Sequence, residues 1–271
     1  MSVEVQDAFG RPFALAGPAL RIVSLVPSLT EALFSLGVGH RAVGITKYCA
    51  EPPEGVRTKT RVGGTKDPRC DAIVALKPDL VIANVEENRK ADVEALRGAG
   101  LPVLVTHPRT VREGIRLIRD LGVVTGTTER AEGIARECEA ALAEVQRHTQ
   151  GRPRVRVFCA IWRRPYMTIN ADTYVDDVLR TCGGDNIFCD RLERYPKVSL
   201  AEMAARRPEV VLLPDEPFPF EERHLEDFRP FGEVPAVRAG RFILMDGKVL
   251  SWYGPRIGES LHSLTQMLHC M

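Results

Sequence analysis

The chain has 271 residues, of which 44% are hydrophobic and 27% charged, and its net charge is +1. That balance is ordinary for a folded globular protein and gives no general drive toward nucleic acid or an anionic membrane surface. No apolar run approaches the roughly 20 residues of a membrane span, so no membrane insertion is expected.

The first 20 residues predict a short strand through Val3 and Val5, broken by Phe9-Gly10-Arg11-Pro12. Residues 21–25 form a compact apolar run of the buried-strand type. Ser28 and Glu31 spell an S-x-x-E capping box, so a helix is expected over 29–36 and Gly37 should stop it. A strand over 42–46 leads to a polar loop holding Lys47, Tyr48, Cys49 and Pro52-Pro53. Asp67-Pro68 reads as N-cap and first-turn proline of a short helix to Leu76. A strand at 80–83, a helix over 89–97, a strand at 102–106 and a helix capped by Thr110 and Glu113 follow. These are βα units, which predict a mainly parallel sheet covered by helices on both faces.

Between 127 and 151 the apolar residues Ala131, Ile134, Ala135, Cys138, Ala141, Leu142 and Val145 recur at steps of three and four. They make one narrow stripe of a long amphipathic helix, about 30 Å in length. Thr127 or Thr128 can cap it, Arg147 and His148 lie in its last turn, and Gly151 and Pro153 stop it. The strand–helix alternation then restarts. Strands are expected at 155–161, 167–169, 209–213 and 242–245, and a helix at 173–180. Ser199 and Glu202 form another capping box. Residues 214–231 read as a loop, Asp246-Gly247 as a hairpin turn, and a final helix follows Trp252. The expected plan is two Rossmann-like α/β lobes with mainly parallel sheets, 1–126 and 152–271, bridged by the helix of 127–151.

Motifs for catalysis are absent from the sequence: there is no GxSxG, no P-loop and no HExxH. Gly37-Val38-Gly39 follows a helix instead of opening one, so it is no dinucleotide fingerprint. The seven cysteines, Cys49, Cys70, Cys138, Cys159, Cys182, Cys189 and Cys270, are scattered and include no CxxC. Buried, reduced thiols are the simpler expectation over a zinc site or a disulfide framework. The six histidines do not cluster; His107, at a strand's carboxyl end, is read as a loop residue. The aromatic residues do stand out. The chain has two tryptophans and five tyrosines, and Tyr48, Trp162, Tyr166, Tyr195, Trp252 and Tyr253 all fall at strand ends or in loops. Arg163, Arg164, Arg194 and Arg256 lie among them. Amphipathic rings fringed by arginine suit a flat, largely apolar ligand with anionic or amide edges.

The run Arg21-Ile22-Val23-Ser24-Leu25-Val26-Pro27-Ser28-Leu29-Thr30-Glu31 resembles the opening of the cobalamin and iron-chelate substrate-binding proteins of ABC importers. The run from Ile73 through Ala75-Leu76-Lys77-Pro78-Asp79 to Ala83 is similar to their second signature. Cys182-Gly183-Gly184-Asp185-Asn186-Ile187-Phe188, followed by Pro196-Lys197-Val198-Ser199, is similar to a third. The similarity runs in order along essentially the whole chain and is nearest to the cobalamin-binding branch. It implies two lobes joined by one long helix with little hinge motion, and a ligand held in the cleft between them.

The resemblance implies further that Tyr48, Trp162, Tyr166, Tyr195, Trp252 and Arg256 contact the ligand. One acidic residue per lobe, Asp71 and Glu202, would dock on an ABC permease dimer, although Ala201 stands where the family often has glutamate. Thr65 replaces an aromatic contact of the cobalamin branch. The implied ligand is cobalamin or another corrinoid, with haem or a ferric siderophore as alternatives; Tyr48, Tyr166 or His107 would then serve as axial ligand or contact. No covalent cofactor, no resident metal and no catalysis are expected, and the chain should be a monomer. A cytoplasmic relative that stores or hands over corrinoid is the other alternative. The N-terminal Met-Ser-Val-Glu-Val-Gln-Asp lacks a basic segment, an apolar stretch and a lipobox cysteine, so the sequence as encoded is expected in the cytoplasm. A leader missing from it would place the protein in the periplasm or at the cell surface.

Overall fold

Short runs of apolar and β-branched residues, bounded by turn residues, become the strands of two separate parallel sheets in the computed structural model, which describes residues 2–269. The chain divides into two units. The first holds the chain up to Pro108 together with Arg112–Cys138 and Tyr253–Pro255; the second holds Arg109–Val111, Glu139–Trp252 and the chain from Arg256 onward.

The first unit begins with an antiparallel hairpin of β1 (Val3–Gln6) and β2 (Pro12–Leu15). The break expected at Phe9–Pro12 is its turn, held by Asp7 Oδ1, which accepts from the Phe9 and Arg11 amides at 2.8 and 3.0 Å. Pro12 opens the second strand, a position where a missing N–H is tolerated. There follow β3 (Ile22–Ser24), α1 (Pro27–Ser35), β4 (Ala42–Ile45), α2 (Pro53–Val56), α3 (Cys70–Ala75), β5 (Leu80–Asn84), α4 (Lys90–Gly98), β6 (Val103–Thr106) and α5 (Val111–Thr125). The sheet order is β4-β3-β5-β6, all parallel. Every residue of β3, β5 and β6 is buried, as a parallel sheet covered on both faces requires.

Two helix starts differ from the sequence expectation. α1 begins two residues early, at Pro27, behind Val26, whose side chain makes no cap, which leaves Ser28 inside the first turn and no capping box. Proline is preorganised for the first helical position and needs no N–H there, so it sets the start. α3 begins at Cys70, not after Asp67-Pro68. Gly63 and Pro68 form an antiparallel bridge, and the Asp67 carbonyl accepts from Gly64, so Asp67 belongs to a turn.

The long helix is α6 (Thr128–Thr149). Ala131, Ala135, Cys138, Ala141, Leu142 and Val145 are buried along its length. It starts in the first unit and ends in the second, the division falling after Cys138.

The second unit continues with β7 (Val155–Cys159), α7 (Tyr174–Thr181), β8 (Gly184–Asn186), α8 (Leu200–Ala205), β9 (Val210–Pro214), α9 (Pro235–Arg238), β10 (Phe242–Met245), α10 (Lys248–Ser251) and α11 (Ile257–His269). Its sheet, β10-β9-β7-β8, is again parallel throughout. The Ser199–Glu202 capping box is formed, and Thr173 Oγ1 caps α7 by accepting from the Asp176 amide. The expected loop at 214–231 contains a 3₁₀ helix, Glu222–Phe231, which Phe228 anchors in a core with Phe158 and Phe188. The hairpin expected at Asp246-Gly247 does not form. β10 pairs parallel to β9, and Asp246 Oδ1 instead accepts from the Lys248 amide at the start of α10. No described helix is long and apolar enough to cross a membrane.

Candidate ligand-binding site

In parallel sheets with flanking helices, ligands bind beyond the carboxyl ends of the strands, where loops are free to carry function. In the first unit the loop after β4 presents Tyr48, 56% exposed, with the Lys47 ammonium 5.1 Å from the ring centroid. The backbone beneath is rigidly tied. Arg61 Nη1 donates to the Thr46 and Cys49 carbonyls, both at 2.8 Å. Cys49 Sγ lies 3.1 and 3.2 Å from the hydroxyls of Thr30 and Thr46, and Thr30 donates to Ser24 Oγ at 2.9 Å. Burial pushes the Cys49 thiol up, so it is a neutral member of this network and not a reactive thiolate. Beside it, Asn88 Nδ2 donates to the Leu25 and Thr65 carbonyls while its Oδ1 accepts from the Asn84 amide, joining the ends of β3 and β5. His107 is half-buried just past β6.

In the second unit the carboxyl side of β7 leads into a small antiparallel ladder of segments 161–162, 166–170 and 194–198. The Ile161 amide donates to the Met167 carbonyl and the Met167 amide to that of Trp162; Val198 donates to Tyr166, Thr168 to Pro196 and Asn170 to Arg194. Trp162 therefore opposes Met167, and Met167 opposes Lys197. Trp162 and Tyr195 are 42% and 37% exposed. Phe218 braces Trp162 edge-on at 5.7 Å.

Tyr166 points the other way. Its ring stacks on Phe220 and meets Phe228 edge-on, and its hydroxyl donates to Asp227 Oδ2 at 2.8 Å. Arg163 grips the same carboxylate with two parallel bonds of 2.7 and 2.9 Å. The guanidinium holds the Asp227 carboxyl below the usual range, and burial raises the Tyr166 phenol, which stays protonated as the donor. Tyr166 and Arg163 thus support the turn that displays Trp162. Trp252 is buried as well: its Nε1 donates to Glu216 Oε1 at 2.9 Å, with Lys248 and Arg256 5.4 and 5.6 Å from its ring. Asp227 and Glu216 carry no local sequence signal, because each meets its partner only through the tertiary fold.

The two acidic positions differ. Asp71 is exposed in the first turn of α3. Glu202 accepts from the Ser199 amide at 2.9 Å and pairs with Arg191; these bonds hold its carboxyl below the usual range. Among the described residues no group of three His, Cys, Asp or Glu side chains could hold a metal ion, and the six described cysteines are free thiols. Cys270 lies outside the described residues.

Two parallel-sheet units thus display aromatic rings beyond their strands' carboxyl ends. The chain belongs to the periplasmic binding protein family, whose pattern it matches over residues 22–249. It is 31% identical over 196 residues to the vitamin B12-binding protein of Vibrio campbellii, which covers 72% of this chain and 70% of that one. Its fold is similar to the periplasmic vitamin B12 binding protein BtuF of Vibrio cholerae, with a TM-score of 0.83 at 24% identity, covering 93% and 98% of the two chains. The periplasmic heme-binding protein RhuT from Roseiflexus gives a TM-score of 0.79 at 25% identity, covering 94% and 99%.

Proposed function

We propose that this chain is a non-catalytic binding protein for cobalamin or a related corrinoid. The observation that carries the reading is the 31% identity to a vitamin B12-binding protein over 196 residues. The site geometry supports it. Tyr48, Trp162 and Tyr195 keep large faces in water at strand ends, and each is backed by hydrogen-bonded backbone. Such preorganised rings lose little conformational entropy when a flat macrocycle covers them. Tyr166 belongs to the same reading as support for the turn that carries Trp162, and Trp252 and Arg256 as further members of the ligand site.

As the substrate-binding component of an ABC importer, the protein would deliver its ligand to a permease. Asp71 is the docking acid best placed for that role, since its carboxylate is at the surface. Glu202 would first have to leave Arg191 and its helix cap.

Haem is the reading to separate, because a haem-binding structure shares the fold at 25% identity. Cyanocobalamin and hemin, each incubated with the protein and passed through gel filtration, discriminate the two. The corrinoid is expected to co-elute at one equivalent, and hemin to give no saturable Soret band. A saturable Soret band without retained corrinoid would transfer the function to haem.

A further inference from the structure

The ladder of 161–162, 166–170 and 194–198 has two faces of opposite character. Bridge partners in an antiparallel pair project to the same side, and residues two apart on a strand share a side. Trp162, Met167 and Lys197 therefore form one row, with Tyr195 on the same face two residues before Lys197. Exposure follows the same alternation: Tyr195, Lys197 and Ser199 are exposed while Pro196 and Val198 are buried. The other face, with Tyr166, Thr168 and Val198, is the core side.

Arg163 is paired with Asp227, Arg191 with Glu202 and Arg194 with Asp172. Of the cations in these segments and their turns, Arg164 and Lys197 have no ion-pair partner among the described residues, and Lys197 is the one bridged into the Met167 row. The outer face of the ladder is thus an apolar strip of Trp162, Met167 and Tyr195 with the unpaired Lys197 ammonium in the same row.

We propose that Lys197 is a specificity-determining residue that recognises an anionic arm of the ligand, a phosphodiester, while Trp162, Met167 and Tyr195 cover the macrocycle. This rests on the corrinoid reading and deepens it. An ammonium beside an apolar face suits a ligand that is flat and neutral over most of its area and carries one strong acceptor at its edge, since a charge-assisted hydrogen bond is stronger than a neutral one.

The test pairs two ligands with one variant. Cyanocobalamin carries the phosphodiester and its nucleotide; dicyanocobinamide lacks both. Lys197→Gln keeps a polar side chain, one atom shorter, and removes its charge. The variant is expected to bind cyanocobalamin about tenfold more weakly, to bind dicyanocobinamide within about twofold of the parent, and to show a shallower salt dependence for cyanocobalamin. Equal weakening toward both ligands, or none toward either, overturns the role of Lys197 while the corrinoid reading stands on the parent's binding. A parent protein that binds neither ligand overturns both.

Discussion

Glu216 shows how one carboxylate can carry an aromatic position. It accepts from Trp252 Nε1 and from Ser251 Oγ, at 2.9 and 3.1 Å, and burial pushes its carboxyl above the ordinary carboxylate range. The folded state therefore holds a proton that the unfolded state has already released, and stability falls as pH rises from the ordinary value through the raised one. Glu216→Gln keeps an acceptor for the indole and removes the buried charge. Its urea unfolding free energy is expected to equal or exceed the parent's at neutral pH, with a flatter dependence across that window. Glu216→Ala leaves the indole N–H unpaired and should cost about 1–3 kcal/mol. A glutamine variant as unstable as the alanine one would place the stabilisation in the charge itself.

At the scale of elements, α5 and α6 approach closely where Gly122 faces Ala131. A Cβ on Gly122 would lie well inside van der Waals distance of the Ala131 Cβ. Gly122→Ala should therefore lose about 1–3 kcal/mol to overpacking, more than the helix propensity it gains. Gly133, on α6 with open space where its Cβ would stand, is the control. Gly133→Ala is expected to raise stability by roughly 0.5–1 kcal/mol, read by thermal unfolding. A stabilised Gly122→Ala would mean that the two helices separate at little cost. α6 itself was legible because its stripe, from Ala131 to Val145, repeats for about four turns, and the Ser199–Glu202 box because nothing nearby competes for the cap. Ser28 and Glu31 carry the same S-x-x-E pattern without forming the box, since Pro27 claims the first helical position. The turn at Asp246-Gly247 differs from the expected hairpin for a related reason: its local chemistry serves a helix start as well as a hairpin, and only the parallel pairing of β10 with β9 decides between them.

For the molecule as a whole, two parallel four-stranded sheets place aromatic side chains beyond their strands' carboxyl ends, and this much followed from βα alternation and the position of Tyr48, Trp162 and Tyr195 in the chain. Which rings face outward did not follow. Tyr166 is turned inward by Asp227, 61 residues away, and Trp252 by Glu216, 36 residues away, pairings that only the folded chain creates. The strand expected at 167–169 lies in the ladder, but its pairing with Trp162 on one side and Lys197 on the other is made only by the fold, so the row these three form was not legible in the sequence. The central claim is that these displayed faces bind a corrinoid. Calorimetric titration of the whole chain with cyanocobalamin tests it most directly. One saturable site of roughly micromolar affinity or tighter is expected, weakened by about 1–3 kcal/mol in each of Trp162→Ala and Tyr195→Ala. No heat, together with no corrinoid retained by the folded protein, would contradict it.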